Sequence, residues 1–135
     1  MPDGMYSVNA LIPRGTDFTG AKAIEHFRSL GRRCEPAEPE RVEEGFRVFF
    51  GDWAVVAWYS EGEEVLRDSR ELAESHFQPF PAPAEVIAGC DRQLTLWSDE
   101  DWDAEHTNEW IGFVDELIRA FPGVVVFDYV MGEWW

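Results

Sequence analysis

The sequence predicts an α+β fold: one domain over residues 1–135, with a mixed, mostly antiparallel sheet of about five strands and helices packed on it. Three observations predict it. Gly51-Asp52 separates two apolar runs, Phe46–Phe50 and Trp53–Tyr59, and Gly at the first loop position is what a type II′ hairpin turn demands. Apolar residues recur at helical spacing over 63–76, and again from Asp101 or Asp103 to Phe121. Directly after Pro122-Gly123, the run Val124–Val130 is the most β-prone in the chain. The element order is then β-α-β-β-α-β-α-β.

Tyr6–Ile12 alternates Val8, Ala10 and Ile12 with Ser7 and Asn9, the pattern of a strand, and Pro13-Arg14-Gly15 breaks it. Thr16 or Asp17 can cap a helix that puts Ala23, Ile24, Phe27 and Leu30 on one face and stops at Gly31. Residues 35–45, rich in Pro and Glu, read as a solvated loop. In the hairpin, Phe50 faces Trp53, Val48 faces Val55 and Phe46 faces Ala57. These six share one face, which must be core. Arg47, Phe49, Val56 and Trp58 fall on the other, half-polar face, for a helix or a partner to cover.

Val65, Leu66, Ser69, Leu72 and Ala73 form the inner stripe of the next helix. Its outer face spaces Glu63–Arg67, Arg67–Glu71 and Arg70–Glu74 for self-neutralising pairs. Phe77–Pro83 is an aromatic and proline linker, and Gln93–Trp97 is a short strand with Leu94 and Leu96 inward. The last helix turns Trp110, Phe113, Val114, Leu117, Ile118 and Phe121 inward. The strand–helix–strand unit over 93–130 has the length of a parallel crossover.

Charge bounds the partners. The chain carries 27 acidic and 11 basic residues, a net charge of −16. Residues 68–135 hold 15 acids and three bases, 15 − 3, hence −12; residues 1–67 hold 12 acids and eight bases, hence −4. Such a chain attracts cationic partners and repels free nucleic acid and anionic membranes. No run nears the ~20 apolar residues of a membrane span, and Met1–Gly4 show no export signal. Cys34 and Cys90 match no metal or redox spacing and are expected to be reduced and partly buried, which fits a cytoplasmic protein.

No HExxH, GxSxG, P-loop or GxGxxG motif occurs. Asp99, Asp101 and Asp103 copy the first three ligand positions of a calcium loop, but the expected Gly is Ala104 and the expected bidentate Glu is Trp110. No metal or cofactor is therefore expected, and these acids read as a helix N-terminus. From Ser98 to Leu117 the chain has eight acids and no base. Asp101, Glu105, Glu109 and Glu116 fall on one helical stripe with Gly112 in its gap. Unpaired like charges and a mid-helix Gly both weaken a helix, and a basic surface docking over Gly112 would use both. With Asp99, Trp102 and Asp103, and with Trp134 and Trp135, which either dock on the core or stand as terminal aromatic anchors, they form the expected partner-binding surface.

The expected function is a non-enzymatic acidic binding module that neutralises or escorts a basic protein; in bacterial terms, an inhibitor of the toxin-immunity kind. The chain itself could be monomeric or homodimeric. Two alternatives stand beside it: a secretion chaperone, and a small metal-dependent or hydrolytic enzyme using the Asp101–Glu109 region with His106.

Overall fold

Period-2 runs and helical stripes resolve into one sheet with helices on both faces. In a computed structural model describing residues 5–135, the chain runs β1 (Ser7–Pro13), α1 (Gly20–Ser29), β2 (Cys34–Pro36), a 3-10 turn (Val42–Glu44), β3 (Gly45–Phe50) and β4 (Trp53–Glu61). There follow α2 (Glu63–Ala73), α3 (Ala84–Ala88), β5 (Cys90–Ser98), α4 (Thr107–Ala120), β6 (Val125–Asp128) and β7 (Glu133–Trp134). Met1–Gly4, read above for export signals, lie outside the described residues. No helix is long and apolar enough to cross a membrane.

The fold is α+β, with seven strands in the order β2-β3-β4-β5-β1-β6-β7 rather than five. The two unforeseen strands, β2 and β7, are the short edges. Every pairing is antiparallel, so the sheet is not mixed. The expected parallel crossover skips a strand: β5 and β6 flank β1 and run parallel to each other without hydrogen-bonding.

The β3–β4 hairpin has the expected register, with Phe50 opposite Trp53, Val48 opposite Val55 and Phe46 opposite Ala57. Gly51 takes φ +66 and Asp52 does not enter that region, as a type II′ turn requires. All six paired residues are buried. On the opposite face, the Trp58 ring lies across Gly45, where a Cβ would come within 2.7 Å of Trp58 Cε3 and of the Ala57 carbonyl.

Helices cover both sheet faces because the central strands are apolar on both sides. On one face, Phe27 of α1 and Phe113 and Leu117 of α4 pack on Ala10, Val48, Val55, Leu96 and Val126. On the other, Leu72 of α2 and Ile87 of α3 join Leu11, Val125 and Phe127, with Phe77 and Phe80 of the linker against them. Each fully buried Phe contributes roughly 1.5–3 kcal/mol through area removed from water. α1 is capped by the Thr19 side chain, which accepts from Lys22 N–H at 3.1 Å, rather than by Thr16 or Asp17. Leu30 falls past its last turn and is 50% exposed.

Candidate functional site

α4 begins later than its sequence suggests, and the reason is Asp101. This carboxylate is 9% exposed and accepts from Glu105 N–H at 2.9 Å, His106 N–H at 3.0 Å and the Tyr6 hydroxyl at 2.7 Å. It satisfies amide donors ahead of the first helical turn, so the chain loops over residues 101–106 and α4 starts at Thr107. Asp101 is thus a folding residue, turned away from solvent. Burial works to raise its pKa, but the bonds from Tyr6, His106 and Glu105 together outweigh it and hold the carboxyl below its usual range.

A group with a depressed folded pKa contributes stability above its unfolded pKa and loses it as pH falls through the folded one. Thermal stability is therefore expected to decline on acidification below about pH 4, near the unperturbed carboxyl value. Asp101→Asn should be less stable at neutral pH and lose less on acidification. Melting curves of both proteins between about pH 2.5 and 6 check this, and parallel declines would contradict it.

Asp99 is also structural, although exposed. Its N–H donates to the Ala54 carbonyl at 2.9 Å, its Oδ2 accepts from Ala54 N–H at 2.9 Å, and its carbonyl accepts from Trp53 Nε1 at 3.1 Å. It clamps the end of β5 to β4. Trp102, 65% exposed, donates its indole N–H to Glu100 Oε2 at 3.0 Å, and Asp103 is exposed beside it on the 101–106 loop. Among the described residues, no three His, Cys, Asp or Glu side chains are grouped to hold a metal ion.

The remaining stripe is paired, which corrects the expectation of bare charge. His106 Nδ1 hydrogen-bonds Glu109 Oε1, and the imidazole stacks on Trp53 at 4.7 Å. It meets neither Asp101 nor Glu105 through its ring. Glu116 is held by Arg119 and by His26 Nε2 of α1 at 2.7 Å. The Arg119 bonds chiefly, opposed by burial and aided by His26, hold the Glu116 carboxyl below its usual range. Of the four acids, only Glu105 has an exposed carboxylate with no protein partner among the described residues. On α2 the reverse holds, since none of the three spaced pairs closes.

What the stripe does form is a groove. A hollow of about 400 Å³ runs between α1 and α4, with Phe27 and Phe113 as its floor, Glu109 and Glu116 on its rim, and Gly112 in its wall. The two floor rings stack at 5.1 Å. The α1 side adds Leu30, and Arg32, whose guanidinium lies 4.4 Å over the Phe50 ring. Gly112 keeps the wall open: a Cβ there would meet nothing within 4 Å. The structure thus brings Glu109, Gly112 and Glu116 together. Leu30 and Phe50, which the sequence assigns to the core, and Arg32 line this groove from some 60 to 80 residues away, and His26 reaches Glu116 from 90 away; no local pattern marks any of them as part of the site.

Gly112 is open to a direct test. An exposed mid-helix Gly→Ala substitution gains about 1 kcal/mol of helix propensity, and nothing here opposes it sterically. Gly112→Ala is therefore expected to raise the denaturant midpoint with an unchanged m-value. A lower midpoint would show that the helix needs its Gly for folding.

The terminal aromatics are docked. Trp134 packs on Phe127 at 4.7 Å and donates its indole N–H to the Phe77 carbonyl at 2.8 Å. Trp135 donates to Asp115 Oδ1 at 2.7 Å and remains 39% exposed. Trp134 therefore serves the second sheet face, away from the groove. Both cysteines are free and buried, and burial chiefly pushes the thiols up to about 11 at Cys34 and about 12 at Cys90. Neither is a thiolate nucleophile at neutral pH.

No protein-family model, no curated protein and no solved structure matches this chain.

Proposed function

We propose that this protein is an acidic, non-enzymatic binding module that neutralises or escorts a cationic protein in the cytoplasm, in the manner of a toxin-immunity inhibitor. The carrying observation is the α1–α4 groove: the half-exposed Leu30 over the covered Phe27 and Phe113 rings, an open wall at Gly112, and a rim of Glu109 and Glu116 with Arg32, on a molecule of net charge −16. Such a surface steers a basic partner by long-range attraction, and its apolar centre supplies the desolvated contact that holds it. Trp102, Asp103 and Glu105, exposed beside it, extend the contact. The excess charge disfavours nucleic acid and anionic membranes as partners.

The charge also sets the molecule's salt response. Self-repulsion among the carboxylates opposes the compact state and is screened within about 8–10 Å at physiological salt. Melting temperature is expected to rise between about 10 and 300 mM NaCl. A flat series would show that the fold already compensates its acids.

Affinity capture from the native host at low salt, with identification of what is retained, tests the function. The reading predicts a basic protein whose own activity is suppressed in the complex. Retention of only neutral or acidic proteins, or a basic partner that binds equally well after charge reversal at Glu109 and Glu116, would overturn it.

A further inference from the structure

Each carboxylate on the groove rim is bonded to an imidazole. His26 of α1 reaches Glu116 through Nε2 at 2.7 Å, and His106, the residue before α4, reaches Glu109 through Nδ1. Two of the chain's three histidines are used in this way. An ionised carboxylate only accepts, so the bonded ring nitrogen carries the proton of the neutral imidazole. The opposite nitrogens, His26 Nδ1 and His106 Nε2, have no protein partner among the described residues. The side chains are 25% and 28% exposed, so solvent can deliver a second proton there.

The groups around each ring can accept that proton's charge. His26 faces Glu116, and Arg119 is bonded to the same carboxylate. One turn earlier on α1, Lys22 is tied to Asp17, and the neighbouring Phe27 and Phe121 rings carry no charge. His106 lies flat on Trp53 at 4.7 Å, with Asp52 before Trp53 in the hairpin turn, Asp101 and Glu105 in its own loop, and Glu109 on α4. These charged groups around His106 are all acidic. On either ring, a cation meets its own carboxylate first.

Resting on the groove as the surface that takes a cationic partner, we propose that His26 and His106 make that surface pH-responsive: on acidification each imidazole gains a proton, cancels the rim carboxylate bonded to it, and lets the partner go. Histidine is the side chain that changes charge between about pH 5 and 8. The carboxylates do not titrate there, because their ordinary values lie near pH 4, and Asp101 and Glu116 are held lower still. Glu109 and Glu116 balance Arg32 and Arg119 when both imidazoles are neutral. Two added protons tip this even balance to the partner's own sign, at the place where it docks.

The test uses the intact protein and Nα-acetyl hexa-arginine amide, a cationic probe with no group that titrates between about pH 5.5 and 7.5. Binding is read from the Gly112 backbone amide and the Asn108 side-chain amide, both of which line the groove. Saturable shifts are expected at about pH 7.5, with affinity weaker about threefold or more at about pH 5.5. His26→Gln/His106→Gln keeps a neutral donor for each carboxylate and should bind equally at both pH values. Each single variant should lose part of the response, which keeps the test open if the double variant does not fold. His76→Gln, which alters the exposed imidazole beyond α2, is the control and should respond like the native chain. Groove binding as tight at the lower pH as at the higher, or a pH response that survives in the double variant or disappears in His76→Gln, would overturn the switch and leave the groove standing. No shift at Gly112 and Asn108 at either pH would overturn the groove reading, and the switch with it.

Discussion

Phe113→Ala is expected to cost about 3–5 kcal/mol of unfolding free energy. The side chain is 2% exposed, stacks on Phe27 at 5.1 Å and lies between α4 and the sheet. Removing it takes the transfer free energy of a large ring and leaves a cavity between two elements that the rest of the core holds apart. Equilibrium urea unfolding measures this as a lower midpoint. Because the ring also floors the groove, any loss of partner affinity in this variant mixes folding with binding. Phe113→Leu, expected to be milder, separates them: it keeps an apolar floor, and a partner that needs only an apolar surface should tolerate it. A loss below about 1 kcal/mol for Phe113→Ala would mean that the α4–sheet interface relaxes around the gap.

Reversing the charge of the groove rim is expected to act on encounter. Glu109→Arg/Glu116→Arg changes the local charge by four units, and the association rate with a basic partner should fall about tenfold or more at low salt, an effect that shrinks as salt rises. The rim carboxylates are engaged with His106, His26 and Arg119, so the reversed Glu116 sets an arginine beside Arg119. Some loss of stability is therefore expected, and Glu109→Gln/Glu116→Gln is the companion variant with milder local repulsion. Reversals at Glu64 on α2 and at Glu74, the residue after its end, serve as controls. Stopped-flow association at two salt concentrations reads the effect. Equal slowing by rim and control variants would assign the steering to net charge alone.

Much of the fold was legible because it is written locally. A two-residue turn with Gly first settles register as well as existence, so every hairpin partner followed from Gly51-Asp52. The inner stripe of α2 followed from its period, with Val65, Leu66, Ser69 and Leu72 all buried. The edges did not follow. β2 sits in a Pro- and Glu-rich stretch that forms a strand only because β3 offers it an edge, and β7 is two residues long. The start of α4 was misplaced because a helical pattern continues through residues that Asp101 draws into a loop.

The site was half legible for the same reason. Spacing placed Glu109, Gly112 and Glu116 together on one helix face, and the groove contains all three. Spacing also declared their charges bare, whereas His26 reaches Glu116 from 90 residues away. It declared α2 self-neutralised too, although its pairs remain open. An i, i+4 relation permits a salt bridge worth tenths of a kcal/mol, and tertiary placement of the side chains decides whether it closes. Asp101 illustrates the limit: among a run of acids it looks like its neighbours, and only Tyr6, 95 residues earlier, marks it as buried.

The central claim is that a cationic protein docks over Gly112, and the dissociation rate of its complex with Gly112→Gln tests it most directly. Glutamine is a good helix former and meets no atom within 4 Å at its Cβ, so this variant should fold at least as well as the native chain. Its side chain nevertheless stands in the groove. Native-like or higher stability is expected together with dissociation faster by about tenfold or more, as when the desolvated centre of an interface is disrupted. Unchanged dissociation of the captured basic partner from Gly112→Gln would place the binding surface elsewhere and contradict the account.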